Sequence, residues 1–135
     1  MLLNPFFLER AYLETRRSVP KELGVNMRER HFNALKKAFE RLIENPYIYY
    51  ENGRMLVLTD SVTEKGEPKF YRASKTECRL VEPANFLCYA FWEGFPCWHR
   101  ATLKIVDNYL LIEDALNEQK SQKLSPESTR KVSPA

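Results

Sequence analysis

The sequence is poor in glycine and histidine, and it lacks the motifs that mark several large classes of enzyme. Only four glycines and two histidines occur in 135 residues. There is no glycine-rich loop of the kind that cradles nucleotide phosphates, and neither an HExxH motif nor a Ser/His/Asp arrangement is present. These absences argue against nucleotide-dependent and hydrolytic chemistry, so we expect the protein not to be an enzyme.

Long apolar runs are also missing. No stretch of roughly 18 apolar residues occurs, so we expect no membrane-spanning helix and no membrane partner. The apolar start of the chain has no basic segment before it and meets Glu9 and Arg10 at once. We therefore expect no signal peptide and a cytoplasmic location. Three cysteines, an odd number, favour reduced thiols or metal ligands over a disulfide framework.

Charge is modest and unevenly spread along the chain. The net charge is +3, well short of the dense positive charge of an obligate nucleic-acid-binding protein. The last twenty positions hold four basic and two acidic residues and few apolar ones, so they lack the surface needed to form a core. The composition predicts a helical arm and linker over 1–26, a folded domain over 27–115 and a disordered basic tail over 116–135.

Hydrophobic spacing predicts an α+β fold. The helices are expected over 5–17, 27–44 and 101–114. Asn26 is a suitable cap for the second of them. The β-rich segments within 47–74 are separated by Asn52-Gly53, which is a hairpin dipeptide, and by a second turn at 64–66. They predict a small antiparallel meander of about three strands, flanked by helices.

The residues with metal-binding side chains are concentrated in one window of 22 residues, with the spacing Cys78-x9-Cys88-x8-Cys97-x-His99. Three thiolates and one imidazole form a complete tetrahedral ligand set for zinc. We therefore expect one structural Zn²⁺ per chain, in a loop that leads into the C-terminal helix. Cys97 and His99 can share an ion only if they straddle the helix start, because positions i and i+2 of a helix point to nearly opposite sides.

Two other interpretations of this window stay open. The three cysteines could be buried thiols that pack as small hydrophobic side chains. Alternatively, Cys97 with His99 could carry reactive chemistry. The other histidine, His31, lies on the second predicted helix and is interpreted as a surface or boundary residue.

The segment from Cys88 to Arg100 resembles the core of a SWIM-type zinc finger, whose pattern is Cys-x-Cys, a variable gap and then Cys-x-His. The resemblance rests on Phe91, on the turn Gly94-Phe95-Pro96-Cys97 and on His99. It extends over about residues 45–112, including the hairpin and the strand that ends in Tyr71-Arg72-Ala73-Ser74. It implies a SWIM-like zinc-binding domain within 27–115.

The resemblance implies that Cys88, Cys97 and His99 are the second, third and fourth ligands. Phe86 stands where the family has its first cysteine. We interpret Cys78 as the first ligand, with residues 79–87 as an insertion that turns at 83–85. If Cys78 is not a ligand, the zinc has an open position that admits water.

SWIM-type fingers occur in chromatin-associated, transposition-related and recombination-accessory proteins, so the resemblance implies binding of nucleic acid or of a protein partner. We expect nucleic acid because basic residues alternate with aromatic ones around the predicted metal site. Between the two nucleic acids, we expect DNA rather than RNA. The residues expected to contact it are Arg30, Lys37, Arg41, Lys75, Arg79, Trp92, Trp98, Arg100 and Lys104. On the alternative interpretation the aromatic residues build the core and the charges are solvated.

A protein-interaction adaptor is the competing hypothesis. In that case zinc is purely structural, and the N-terminal arm docks on a partner protein or on a second copy of the chain as a homo-oligomer. The apolar residues of the arm that would form this surface are Phe6, Phe7, Leu8 and Tyr12.

Overall fold

Four helices and a four-stranded antiparallel sheet make up the fold within residues 1–62, 65–81 and 86–124, the part of the chain that the computed structural model describes. The helices are α1 (Pro5–Arg17), α2 (Val25–Glu44), α3 (Tyr89–Trp92) and α4 (Trp98–Leu124). The strands are β1 (Tyr49–Glu51), β2 (Arg54–Val62), β3 (Pro68–Ala73) and β4 (Cys78–Leu80), adjacent in that order. The predicted α+β fold with a meander is confirmed, and the meander has one more strand than expected.

The starts of the first two helices follow from local chemistry. Asn4 caps α1, since its side-chain oxygen accepts a hydrogen bond from the backbone N–H of Phe6 at 2.9 Å. Pro5 follows at the first helical position, where a missing N–H costs nothing. Helix α2 starts at Val25, two residues before the predicted start, and Gly24 rather than Asn26 occupies the cap position. The cap was wrong because helical periodicity locates an element better than it locates its end.

The sheet delivers one cysteine to its inner face. Asn52 and Gly53 have φ angles of 53° and 78°, as the two-residue hairpin between β1 and β2 requires. Strand β3 then pairs with β4 so that Ala73 lies opposite Cys78. Because side chains alternate between the two faces of a strand, Cys78 and the other buried residues of the sheet point toward the helices.

Helix α1 shares the hydrophobic core with α2 and α4. Leu3 and Leu8 are almost completely buried, and the ring of Tyr12 stacks on Phe39 of α2 with centroids 4.3 Å apart. The core therefore includes residues on both sides of position 26, where a boundary is expected. Of the arm residues proposed to dock on a partner, Phe6 is the most accessible, with 72% of its surface exposed.

Helix α4 is longer than predicted. It begins at Trp98 and continues to Leu124, so residues 116–124 are helical rather than disordered. Glu, Gln, Lys and Leu dominate this stretch, and all four have high helix propensity, which favours continuation of the helix. The rest of the predicted tail, 125–135, lies outside the described residues. In the part of the chain described here, no helix is both long and apolar enough to cross a membrane.

Tyr109 joins the N-terminal segment to α4, and its hydroxyl can be removed without changing the shape of the core. The side chain is 1% exposed. Its oxygen accepts a hydrogen bond from the backbone N–H of Asn4 at 2.8 Å, and the hydroxyl donates to Glu113 at 3.4 Å. We expect Tyr109→Phe to lower the free energy of unfolding in urea by about 1–2 kcal/mol, because the Asn4 N–H loses its partner. Tyr89→Phe is the control, because Tyr89 is 76% exposed; equal stability of the two variants would contradict the prediction.

Candidate metal centre

Four side chains converge at the junction of the sheet and α4. The ligand atoms of Cys78, Cys88, Cys97 and His99 all lie within 4.8 Å of one another, and all four residues are buried. The Sγ atoms of Cys88 and Cys97 are 3.5 Å apart. The Nδ1 atom of His99 lies 3.1 Å from the sulfur of Cys97 and 3.4 Å from that of Cys78. This cluster could hold a metal ion.

The spacing of the ligand atoms suits a tetrahedral ion. With metal–sulfur bonds of about 2.3 Å, the sulfur–sulfur edge of a tetrahedron is about 3.8 Å, and the sulfur–nitrogen edge is about 3.6 Å. The three separations given above are slightly shorter than these edges, and all the ligand atoms lie within 4.8 Å of one another. Small movements of the side chains would therefore bring them to coordination distance.

The ten-residue separation of the first two cysteines is closed by backbone pairing. After β4 the chain returns alongside it, and the backbone N–H of Leu80 donates to the carbonyl of Phe86 at 2.8 Å. The N–H of Cys88 then donates to the carbonyl of Cys78 at 2.9 Å. The segment interpreted as an insertion thus brings Cys88 back beside Cys78. Its proposed turn at 83–85 lies outside the described residues.

Gly94 turns the chain from the second cysteine toward the third. It follows the end of α3 with a φ angle of 80°, a conformation that favours glycine. The N–H of Phe95 donates to the carbonyl of Ala90, and the N–H of Gly94 donates to that of Phe91. These two bonds form the Schellman motif, which ends a helix and reverses the chain. Pro96 follows, and Cys97 comes next.

Cys97 and His99 straddle the start of α4, as predicted. Cys97 directly precedes the first helical residue, and its carbonyl accepts the N–H of Ala101 at 3.0 Å. His99 is the second residue of the helix, where both side chains can reach one point. The unpaired N–H groups of a helix start also favour a negatively charged thiolate electrostatically.

The close approach of the three thiols alters their acidity. The pKa of Cys88 is lowered, chiefly by hydrogen bonds from the thiols of Cys78 and Cys97 that stabilise its thiolate. The pKa of Cys78 is raised by its hydrogen bonds with Cys88 and Cys97 and by burial. Three thiolates in so small a buried space would repel one another. A bound cation would remove that cost, which is the electrostatic argument for a metal in this cluster.

The imidazole of His99 is held by aromatic contacts. The ring of Tyr71, on β3, stacks on it with centroids 4.1 Å apart and an angle of 19° between the planes. Trp98 packs at a tilt, with centroids 4.4 Å apart. Sequence reasoning did not identify Tyr71 as a supporting residue. The available signal is strand alternation, which places Tyr71 on the same face as Ala73 and hence on the side of Cys78.

Basic residues of α2 lie against two aromatic side chains near Cys97. These are Phe95, in the loop before α4, and Trp98, the first residue of α4. Arg30 lies over the ring of Phe95 at 4.0 Å. Lys37 and Arg41 lie over Trp98 at 5.0 and 5.8 Å. The structure therefore brings together four of the nine residues expected to contact nucleic acid, namely Arg30, Lys37, Arg41 and Trp98.

The other five predicted contact residues are more dispersed. Arg100 lies over Phe91 at 5.3 Å and donates hydrogen bonds to the backbone carbonyls of Ser74 and Lys75. Lys104 follows one turn later on α4. Arg79 is on β4 and forms an ion pair with Glu77 at 2.9 Å, while Trp92 on α3 is 73% exposed.

No protein-family model matches the chain, and no curated protein or solved structure is significantly similar to it. A cluster of three cysteines and one histidine does not by itself identify a SWIM domain. The resemblance over residues 88–100 therefore stays a prediction from the sequence. The structure places Cys78 beside the other three residues, which argues against the three-ligand alternative.

The stacked Tyr71 ring gives a test of how the imidazole is positioned. We expect Tyr71→Ala to weaken binding of Co²⁺, titrated by its absorption spectrum, by about tenfold or more, because the ligand ring loses its support. Tyr71→Phe keeps the stacked ring and should bind Co²⁺ as the wild type does. Tyr49→Ala removes a 58% exposed tyrosine from β1 and serves as the control. Equal loss in the Phe and Ala variants would show that the hydroxyl, not the stacking, matters.

Proposed function

We propose that the protein is a zinc-stabilised, SWIM-like module that holds one Zn²⁺ per chain through Cys78, Cys88, Cys97 and His99. The observation that carries this proposal is the convergence of four buried ligand atoms within 4.8 Å. Thiolate and imidazole ligands in a tetrahedral set favour zinc, whereas calcium and magnesium select oxygen ligands.

The role of this zinc is structural. Four protein ligands complete its coordination, and a closed site leaves no position for a water molecule or a substrate. The ion would connect β4, the start of α3 and the start of α4. Such a connection stabilises a small domain strongly, on the order of 10 kcal/mol of coupled binding and folding free energy.

Metal content and stability test the zinc site together. We expect the purified protein to contain one zinc ion per chain by mass spectrometry under native conditions and by elemental analysis. Cys78→Ser should bind zinc more weakly and lose its cooperative thermal transition, because the hydroxyl of serine is a poor ligand for zinc.

Thr76→Ser is the matched control for that variant. It lies two residues before Cys78 and is exposed, so its metal content and melting temperature should equal those of the wild type. Full zinc retention with unchanged stability in Cys78→Ser would show that Cys78 is not a ligand. A wild-type protein that is stable without metal would favour three packed neutral thiols.

We further infer that the module binds nucleic acid in a regulatory, recombination or mobile-element context, and that it prefers DNA to RNA. The support is the surface made by Arg30, Lys37 and Arg41 of α2 with Phe95 and Trp98, which combines cations with aromatic rings. Arginine and lysine contact phosphates, and aromatic rings stack on unpaired bases. We call these five residues the cationic–aromatic surface.

Salt dependence tests this surface. We expect the zinc-loaded protein to bind a fluorescent single-stranded or duplex DNA with an affinity that falls steeply as salt rises. The double variant Arg30→Gln/Lys37→Gln should bind more weakly and reduce the slope of log K against log salt by about two, because two phosphate contacts are lost.

The charge-matched control is Arg10→Gln/Lys21→Gln, which removes two exposed cations away from the metal loop. It should keep the wild-type slope. Binding that does not change with salt, or no binding at all, would remove the nucleic-acid proposal. Capture of a partner protein that persists after nuclease treatment would then favour the adaptor function.

A further inference from the structure

A basic pocket lies between the end of α1, one face of α2 and the loop that precedes α4. Its volume is about 290 Å³. Its positively charged lining residues are Arg100 and Lys104 of α4, with the imidazole of His31 on α2 beside them. No aspartate or glutamate is among the described residues that line it. The α2 residues of the cationic–aromatic surface do not line it, and Phe95 is the member of that surface that borders the pocket.

The cations of this pocket lack a counter-charge in the described structure. Lys104 and His31 have no hydrogen-bond or ion-pair partner among residues 1–62, 65–81 and 86–124. Although much of the Lys104 side chain is accessible, partial burial lowers its pKa, and the charge of Arg100 lowers it further. The pKa of His31 is lowered by burial and then by Lys104. The positive charges of Lys104 and Arg100 therefore repel each other, and a bound anion would relieve that repulsion.

The guanidinium of Arg100 is fixed in position while keeping its charge. It donates to the backbone carbonyls of Ser74 and Lys75 and lies over the ring of Phe91. These partners are neutral, so they orient the group without cancelling its field. A cation held in place before the ligand arrives loses little entropy on binding.

The remaining walls are largely apolar. Met27 and Leu35 of α2 line one side, and Val19, Pro20 and Pro96 contribute from the loops. The volume corresponds to about ten water molecules at about 30 Å³ each, which is small for a ligand site. It suits a single small ring with a charged group attached.

We propose that this pocket binds a small organic anion, with a phosphate monoester or carboxylate group held by Lys104, Arg100 and His31 and an apolar body against α2. This goes beyond the zinc module and its nucleic-acid surface, and it depends on neither the identity of the metal nor DNA binding.

The test uses the zinc-loaded full chain labelled with ¹⁵N and titrated with phenyl phosphate, benzoate and inorganic phosphate. The amide signals of the pocket residues Ala34, Gly94 and Ala101 should shift in a saturable way. One of the two aromatic anions should bind at least about tenfold more tightly than inorganic phosphate, because the ring is buried against the apolar wall. Comparison of phenyl phosphate with benzoate identifies the preferred charged group.

Variants locate the binding site. Lys104→Gln should weaken binding of the preferred aromatic anion by at least about tenfold, since a charge-assisted contact is lost. His31→Gln should also reduce the affinity for this anion, as a second and independent variant. Lys36→Gln removes an exposed cation of α2 that does not line the pocket, and it should leave the affinity unchanged.

Three outcomes would overturn the proposal. These are equal affinity for inorganic phosphate and both aromatic anions, shifts spread over surface lysines instead of the pocket, and wild-type affinity in Lys104→Gln. Zinc content and DNA binding are measured separately on the same preparation. A failure of the anion-binding proposal is therefore distinguishable from a failure of the zinc-site proposal.

Discussion

The convergence of three sulfur atoms and one imidazole nitrogen is the constraint on which the C-terminal half of the fold depends. Between β3 and α4, the residues that the structure describes form only the short elements β4 and α3 as regular structure. Its buried cysteines form a second cluster, distinct from the main hydrophobic core. Three thiols and an imidazole bury too little apolar area to order such a segment by themselves. Coordination of an ion would order this segment where packing alone does not, and it would fix where α4 starts relative to the sheet.

Features encoded by nearby residues were predictable from the sequence. The periodicity of α2, the Asn52-Gly53 hairpin and the helix start between Cys97 and His99 all depend on residues a few positions apart. The proximity of Cys78, Cys88, Cys97 and His99 was predictable because these residues cluster in the chain. The return of the chain beside β4 and the stacking of Tyr71 on His99 depend on tertiary pairing, which no local pattern reports. The end of α4 was missed because composition cannot separate a solvated helix from a disordered tail.

The basic residues of α2 illustrate how one side chain can serve two purposes. From the sequence they could be phosphate contacts or solvated charges. In the structure Arg30 and Lys37 lie over the rings of Phe95 and Trp98, which flank Cys97 in the chain. Such contacts contribute about 0.5–1 kcal/mol each at exposed sites. They help to hold the segment around Cys97 against α2. The same basic side chains also make the neighbouring surface positively charged.

The β4 border of the sheet is covered by another part of the chain, and the residues just before β1 pair with the N-terminus. Near β1, the backbone of Leu3 pairs with Pro46, and Ile48 pairs with Met1. Along β4, the segment ending at Cys88 pairs with the strand. Unpaired strand edges are templates for intermolecular association. An ion bound at the cluster would hold Cys88 beside β4 and keep that edge covered, so metal binding would protect the chain from aggregation as well as order this segment.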